Sequence, residues 1–242
     1  MGQTMQNVSV RKGNIFSSRC QTIVNTVNCV GIMGAGIALE CRLRYPLMFE
    51  KYAQLCADAK LDIGQLWIYR APERWVLNFP TKKHWRYPSR VEYLHLGLQK
   101  FLDTYQARGI ASVAFPLLGA QNGGLQADES LALMLHYLSQ CSIPVEIYEY
   151  DPASADDLFD DFKAAFLQWS DAAIAQQSGL RLDAVRRIRG ALQNPRLCQL
   201  GQLAQVQGIG DKSLEKSFAF IARQAGAVPP EPTAGPQAGF GF

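Results

Sequence analysis

Apolar and polar positions along the first 150 residues predict strands and helices in alternation. Short β-branched or alternating runs predict strands at residues 8–12, 22–27, 66–70, 75–78, 112–115 and 144–150. Apolar residues at helical spacing predict helices at residues 35–44, 49–60, 90–106 and 128–140. The run at residues 22–27 is apolar on both faces, which is typical of a central strand covered on both sides. The pattern predicts an α/β fold with a mixed, mostly parallel sheet and helices on both faces.

The composition and the predicted secondary structure of the chain change after residue 150. An acidic, turn-rich stretch is followed by short helical patterns up to about residue 225 and then by Gly, Pro and Ala. We therefore predict three parts: a first domain at residues 1–152, a small all-α C-terminal module at 153–225, and a disordered tail at 226–242. No internal repeat is visible in the sequence.

Composition places the chain among globular proteins and excludes little else. Hydrophobic residues make up 48% of the 242 residues, and the net charge of +3 permits an anionic partner without requiring one. Six scattered cysteines without a CxxC pair, and three histidines, argue against a zinc site. No apolar run reaches about 18 residues. We expect a cytoplasmic protein with free thiols and with no metal, cofactor or membrane association.

A glycine cluster from Gly31 to Ile37 joins the central strand to a helix. Glycines accept positive φ and let backbone N–H groups approach a ligand, and the helix start adds a positive dipole end. A pyrophosphate fits such a loop. The spacing matches neither GxGxxG nor GK[ST], so the alternative of a plain tight turn stays open.

Three segments, in this order and spacing, resemble the macrodomain family. They are GNIF, VNTVNCVGIMGAGIA and FPLLGAQNGGL, and the resemblance covers roughly residues 8–150. Together with NFPTKKHWR, the sequences of these segments are most similar to the DarG-type DNA ADP-ribosyl glycohydrolases. The resemblance implies a three-layer α/β/α sandwich that binds ADP-ribose or ADP-ribosylated DNA, hydrolysis of the bond between ADP-ribose and a base, and a DNA ADP-ribosyltransferase toxin as a possible partner.

The resemblance also implies a set of residues that contact ADP-ribose. Asn14 and Ile15 fall where the family meets the adenine, and an amide there accepts a hydrogen bond without charge. The first glycine loop would hold the pyrophosphate, and the second would wrap the distal ribose. The remaining implied contacts are Thr26, Val27, Gly31, Ile32, Met33, Gly34, Gly36, Ile37, Thr81, Leu118, Gly119, Ala120, Gln121, Asn122 and Gly123.

Lys82 and Asn28 are the implied catalytic residues. A desolvated lysine amine can act as nucleophile or proton donor, whereas a solvated lysine on an edge loop would be a plain surface charge. Relatives that act on protein esters carry an aspartate where Gly123 stands, so the DNA-acting pattern fits better. The neighbouring His84, Trp85 and Arg86 could contact a nucleic acid by charge and stacking.

The helical module has its own nucleic-acid signal. Residues 161–223 carry nine basic and five acidic side chains. The segment around Gly208, Gly210 and Lys212 resembles a helix-hairpin-helix motif, whose backbone N–H groups bind a DNA phosphate. Plain helix packing or a protein-docking surface are alternatives for this segment. For the whole chain, the alternatives are ADP-ribose release from protein carboxylate esters and a non-catalytic ADP-ribose reader tethered to DNA.

Overall fold

The computed structural model describes residues 7–224. It divides into two compact units, the first extending to Asp151 and the second beginning at Pro152. The predicted tail at residues 226–242 lies outside the described residues.

The first unit alternates strands and helices. Its helix α2 begins at Pro46, three residues before the predicted start, because proline has a fixed φ suited to the first helical position and lacks an N–H that would go unpaired there. A short 3-10 helix spans Ile15–Ser17. The elements are β1 (Val8–Gly13), β2 (Thr22–Asn28), α1 (Gly36–Arg44), α2 (Pro46–Ala57), β3 (Trp67–Arg70), β4 (Trp75–Lys82), α3 (Val91–Thr104), β5 (Val113–Pro116), α4 (Ala127–Leu138) and β6 (Val145–Tyr150).

The six strands form one sheet in the order β1-β6-β5-β2-β4-β3. Neighbouring strands are parallel except β3, which pairs with β4 as an antiparallel hairpin at the sheet edge. On β2, Ile23 and Val24 point into hydrophobic clusters on opposite faces, and both are fully buried. The predicted mostly parallel sheet with covered faces is therefore confirmed, and β2 is a central strand.

The second unit is helical over its described residues. The aromatic rings of Phe162, Phe166 and Phe220 are buried together in its core. A 3-10 helix spans Leu200–Gln205, and the α-helices are α5 (Phe159–Gln168), α6 (Asp171–Ser178), α7 (Leu182–Ala191) and α8 (Asp211–Gln224). Among residues 7–224, no helix combines the length and the apolar character needed to cross a membrane.

Candidate functional site

The carboxyl ends of β2 and β4 bring the two predicted catalytic residues to the same edge of the sheet. Asn28 pairs with Lys82 across a local irregularity of the parallel register. Beyond the strands, the backbone N–H of Cys29 donates to the carbonyl of Lys83 at 3.2 Å. In parallel sheets this edge is where ligands bind, because loops from adjacent strands open there.

The side chain of Asn28 organises the first glycine loop. Its Nδ2 donates to the carbonyl of Ile32 at 2.5 Å, and its Oδ1 accepts from the N–H of Val30 at 3.0 Å. The hydroxyl of Tyr52 donates to the Asn28 carbonyl at 2.8 Å and also lies 3.1 Å from Oδ1. Asn28 is only 7% exposed. Both ends of its amide are thus engaged in shaping the loop.

Two glycines of this loop have left-handed backbone. Gly31, at φ +78°, packs so closely on Ala53 of α2 that a Cβ would lie 3.4 Å from the Ala53 Cα. Gly36, at φ +57°, begins α1 and faces the second loop, where a Cβ would lie 2.7 Å from Nδ2 of Asn122. The two glycine-rich loops therefore approach each other directly at Gly36.

The second loop, residues 118–125, is closed by backbone hydrogen bonds. Leu125 N–H donates to the Gly119 carbonyl at 3.0 Å, and Ser89 N–H donates to the Gly123 carbonyl at 2.9 Å. Gly123 is buried, and a Cβ there would collide with the Gly119 backbone and with Ser89 Oγ. The loop in this conformation therefore has no room for an acidic side chain at position 123.

Lys82 reaches from the end of β4 to the second loop. Its Nζ donates a hydrogen bond to the carbonyl of Asn122. Burial lowers the pKa of the Lys82 amine, since desolvation disfavours the charged form. Lys82 is therefore not a freely solvated surface lysine, and its amine lies where the two glycine-rich loops meet.

Asn14, the predicted adenine contact, is buried and has a local role. Its Oδ1 accepts from the N–H of Phe16 at 2.9 Å and so caps the 3-10 helix. This cap uses one lone pair of the oxygen for which the resemblance implies a contact with the adenine. The neighbouring Ile15 is also buried, in the cluster beneath the sheet.

Several predicted contact residues turn their side chains into the core. Met33 and Leu118 are fully buried, and Val27 and Thr81 are nearly so. These four can line a ligand with backbone atoms only. Ile32, in contrast, is exposed. The sequence of a glycine-rich loop does not tell which side chain points inward, because that depends on the helices packed beneath it.

The segment from Lys83 to Arg90 exposes aromatic rings beside cations. Trp85 is 47% and Tyr87 66% exposed. The His84 ring stacks on Trp85 with centroids 5.5 Å apart, and the Arg86 guanidinium lies 4.7 Å from the Trp85 centroid. Exposed, stacked aromatic rings with nearby guanidinium groups are suited to binding unpaired bases.

A cavity of about 290 Å³ opens in the same segment. Lys83, Tyr87, Pro88, Arg90 and Tyr93 line it. The hydrogen bond that the Lys83 ammonium donates to the Asp62 carboxylate raises the pKa of Lys83, so this lysine stays charged. The sequence reasoning did not single out Arg90 and Tyr93, because at the start of a helix their residue types are ordinary surface choices.

The predicted contacts in the second unit form part of a turn before α8. Gly208 has φ +82° and is exposed, as are Gly210 and Lys212. Helix α8 begins directly after the turn, at Asp211. A 3-10 helix, Leu200–Gln205, precedes the turn, and the helix-hairpin-helix resemblance of this segment stays a prediction.

Comparisons with known proteins place the first unit in a family. The family model described as Macro domain matches residues 24–134. A solved structure, the macrodomain of Thermus aquaticus DarG, is 38% identical with a TM-score of 0.55, and the match covers 59% of this chain and 99% of that one. A DNA ADP-ribosyl glycohydrolase of Mycobacterium tuberculosis is 33% identical over 184 residues, which is 74% of this chain and 50% of the relative.

A third relative comes from Thermosipho africanus. The structure of its DarTG in complex with ADP-ribose is 34% identical with a TM-score of 0.58, covering 60% of this chain and 42% of that one. The chain spans half or less of the length of the curated glycohydrolases it matches.

Proposed function

Because the chain belongs to the macrodomain family, we propose that it is a DNA ADP-ribosyl glycohydrolase, an enzyme that removes ADP-ribose from a nucleic-acid base. The observation that carries the proposal is the position of Lys82. Its partly desolvated amine donates a hydrogen bond to the Asn122 carbonyl, where both glycine-rich loops meet. The relatives named DNA ADP-ribosyl glycohydrolase support the same reaction.

In this proposal the two glycine-rich loops bind different parts of ADP-ribose. The loop containing Gly34 and Gly36 presents backbone N–H groups and the start of α1 to the pyrophosphate. The loop from Gly119 to Gly123 encloses the distal ribose, whose anomeric carbon carries the base. Asn28 acts by holding the first loop in shape, since its amide is already engaged there.

Lys82 acts as the general acid. Its ammonium donates a proton to the departing base as the bond between the base and the anomeric carbon breaks, and a water molecule attacks that carbon. The proton released by the water restores the ammonium. A lysine whose pKa is lowered by burial is a stronger acid than a solvated lysine, which suits this role.

Two observations favour a nucleic-acid conjugate over a protein ester. Position 123 has no room for the acid that ester-acting relatives carry. The exposed rings of Trp85 and Tyr87, close in sequence to Lys82, provide stacking surfaces for bases flanking the modified nucleotide. Single-stranded DNA carrying ADP-ribose is the substrate that this arrangement fits.

A DNA ADP-ribosyltransferase would supply this substrate. The Thermosipho africanus relative, 33% identical, is named a fusion of a DNA ADP-ribosyl transferase with a DNA ADP-ribosyl glycohydrolase. We infer that the chain reverses the action of such a toxin. The six cysteines form no disulfide among residues 7–224, which supports a cytoplasmic location, where thiols stay reduced.

The test uses a single-stranded oligonucleotide carrying ADP-ribose on one base. Mass spectrometry follows the return of the unmodified oligonucleotide. We expect turnover by the wild type and a loss of about 10²- to 10⁴-fold in Lys82→Ala, the usual contribution of a general acid. Lys60→Ala, which removes an exposed lysine paired with Asp58, serves as the control and should retain the wild-type rate.

Binding is measured separately from turnover. ADP-ribose should raise the melting temperature of both wild type and Lys82→Ala, because the glycine loops remain intact. Equal rates in wild type and Lys82→Ala would refute the role of Lys82. Stabilisation by ADP-ribose without turnover of DNA or protein conjugates would identify a reader instead of an enzyme.

A further inference from the structure

The second unit contains a duplication that the sequence does not reveal. Two helix-turn-helix segments follow the same plan with an offset of 29 residues, so that Gly179 (φ +69°) corresponds to Gly208 (φ +82°). In each, the next residue is a buried aliphatic, Leu180 or Ile209. The positions five, eight and twelve residues after Leu180 and after Ile209 are also buried. They are Val185, Ile188 and Leu192 in the first segment, and Leu214, Ser217 and Ile221 in the second.

The two segments exchange equivalent side chains. Arg187 lies seven residues after Leu180, and Lys216 lies seven residues after Ile209. The Lys216 amine donates to the carbonyl of Gly179 at 2.6 Å. Reciprocally, the Arg187 guanidinium covers the turn at Gly208, where a Cβ would lie 3.0 Å from its Cζ. Each turn is thus contacted by a cation from the other segment, as an approximate two-fold axis between them requires.

Positive charge is concentrated on the first segment and shared with the second. Residues 179–192 carry Arg181, Arg186, Arg187 and Arg189 against Asp183. Arg181 pairs with Asp183, and Arg186 and Arg189 both pair with Asp171 of α6. Residues 208–221 are neutral by themselves, with two lysines and two carboxylates. Arg187 therefore supplies the net positive charge at the Gly208 turn. Its own segment keeps Arg181, 87% exposed, beside the Gly179 turn.

We propose that the two turns with their cations form one surface that binds the backbones of both strands of a DNA duplex. The strands of a duplex are antiparallel and related by local two-fold axes, so a protein surface with an approximate two-fold axis meets both in the same way. Cations at glycine turns contact phosphates without reading bases. The second unit is then a duplex anchor, and this proposal does not depend on the glycohydrolase activity of the first unit.

The chemistry of this surface favours a duplex over a single strand. Binding of single strands needs exposed aromatic rings on which unpaired bases stack. Among the described residues 152–224, the exposed large hydrophobic side chains are Leu167 and Leu182, and neither is aromatic. The aromatic Trp169 packs against Phe220, with centroids 5.8 Å apart. Phosphate contact is therefore the interaction that this unit offers.

The experiment measures binding of the full chain to a fluorescein-labelled 20-base-pair duplex by anisotropy at several salt concentrations. We expect wild-type affinity to fall steeply with salt. Arg187→Gln should weaken binding about five- to tenfold at low salt and reduce the salt slope by about 1, the effect of one lost phosphate contact. Arg187→Lys keeps the charge and should recover most of the affinity.

The matched control is Arg196→Gln, which removes one exposed positive charge from the connection between the two segments and should leave binding unchanged. Equal losses in the Arg187 and Arg196 variants would refute the surface, because the effect would be general charge. Absence of duplex binding by the wild type would also refute it. The Arg187→Gln protein should hydrolyse a short ADP-ribosylated oligonucleotide at the wild-type rate. A loss of duplex binding with this rate unchanged separates the present proposal from the proposed function.

Discussion

Replacing Gly36 with alanine tests whether the two glycine-rich loops work as one site. Gly36 has φ +57°, a conformation that costs an L-residue roughly 1–2 kcal/mol. The added Cβ would lie 2.7 Å from Nδ2 of Asn122, about 0.7 Å closer than the 3.4 Å at which ordinary van der Waals contact begins. The Asn122 side-chain amide must rotate away, and the strained backbone at Gly36 shifts the loop that faces Asn122, whose backbone carbonyl accepts from the Lys82 amine. Because misplacing a catalytic group by about 1 Å can cost about 100-fold, we expect the hydrolysis rate to fall about 10- to 100-fold.

The assay combines single-turnover hydrolysis of ADP-ribosylated DNA with urea unfolding. The free energy of unfolding should fall by about 1–2 kcal/mol, the cost of left-handed backbone. Gly34→Ala is the matched control in the same loop, since Gly34 lacks positive φ and the atom nearest to its added Cβ would be Ile32 Cγ2 at 3.8 Å. Its unfolding free energy should stay within about 0.5 kcal/mol of the wild type. A Gly36→Ala protein with the wild-type rate would refute the coupling between Gly36, Asn122 and Lys82.

Three further predictions follow from single contacts. Because Lys82 is proposed as the general acid and burial lowers its pKa, the rate should be highest at pH values below that pKa and should fall above it, with a midpoint below 10.5. Lys82→Arg, which stays protonated, should shift or remove that fall in a pH–rate profile; the same midpoint in both proteins would contradict the assignment. Asn28→Ala breaks the hydrogen bonds that shape the first loop and should lower the free energy of unfolding by about 1–3 kcal/mol in urea titrations. Unchanged stability with a lost rate would instead indicate direct contact with substrate. Gly97→Ala drives a Cβ into the ring of Phe79 in the core and should destabilise by about 1–3 kcal/mol, whereas Gly190→Ala, with open space around it, should not destabilise the protein in the same unfolding experiment.

The strands and helices of the first unit could be predicted from the sequence because each has a local signal. The β-branched run at residues 22–27 predicted a central strand, and β2 lies in the middle of the sheet. The start of α2 at Pro46 was missed, since proline also ends helices, and here it occupies the first position of the next one. The segment resemblance to macrodomains is confirmed by the Thermus aquaticus structure.

The candidate site was only partly predictable. Lys82 was predicted from the resemblance to the DarG-type glycohydrolases, and the structure adds its position at the end of β4 and its hydrogen bond to Asn122. Asn28 was predicted to be catalytic, and the structure adds the hydrogen bonds of its amide to the loop around it, which depend on how residues 28–32 fold back. The duplication around Gly179 and Gly208 escaped sequence comparison because the two segments share burial and backbone conformation, not residue identity.

The sequence by itself determined the order of strands and helices, the glycine-rich loops and the family, because periodicity, glycine spacing and motif wording are properties of neighbouring residues. Only the tertiary structure decided which of those side chains are buried in the core and which contacts the others make. Met33 and Leu118 turn into the core, Gly123 has no room for a side chain, and Arg187 crosses to the turn at Gly208. Each of these outcomes depends on atoms far apart in the chain, which close packing brings within van der Waals distance.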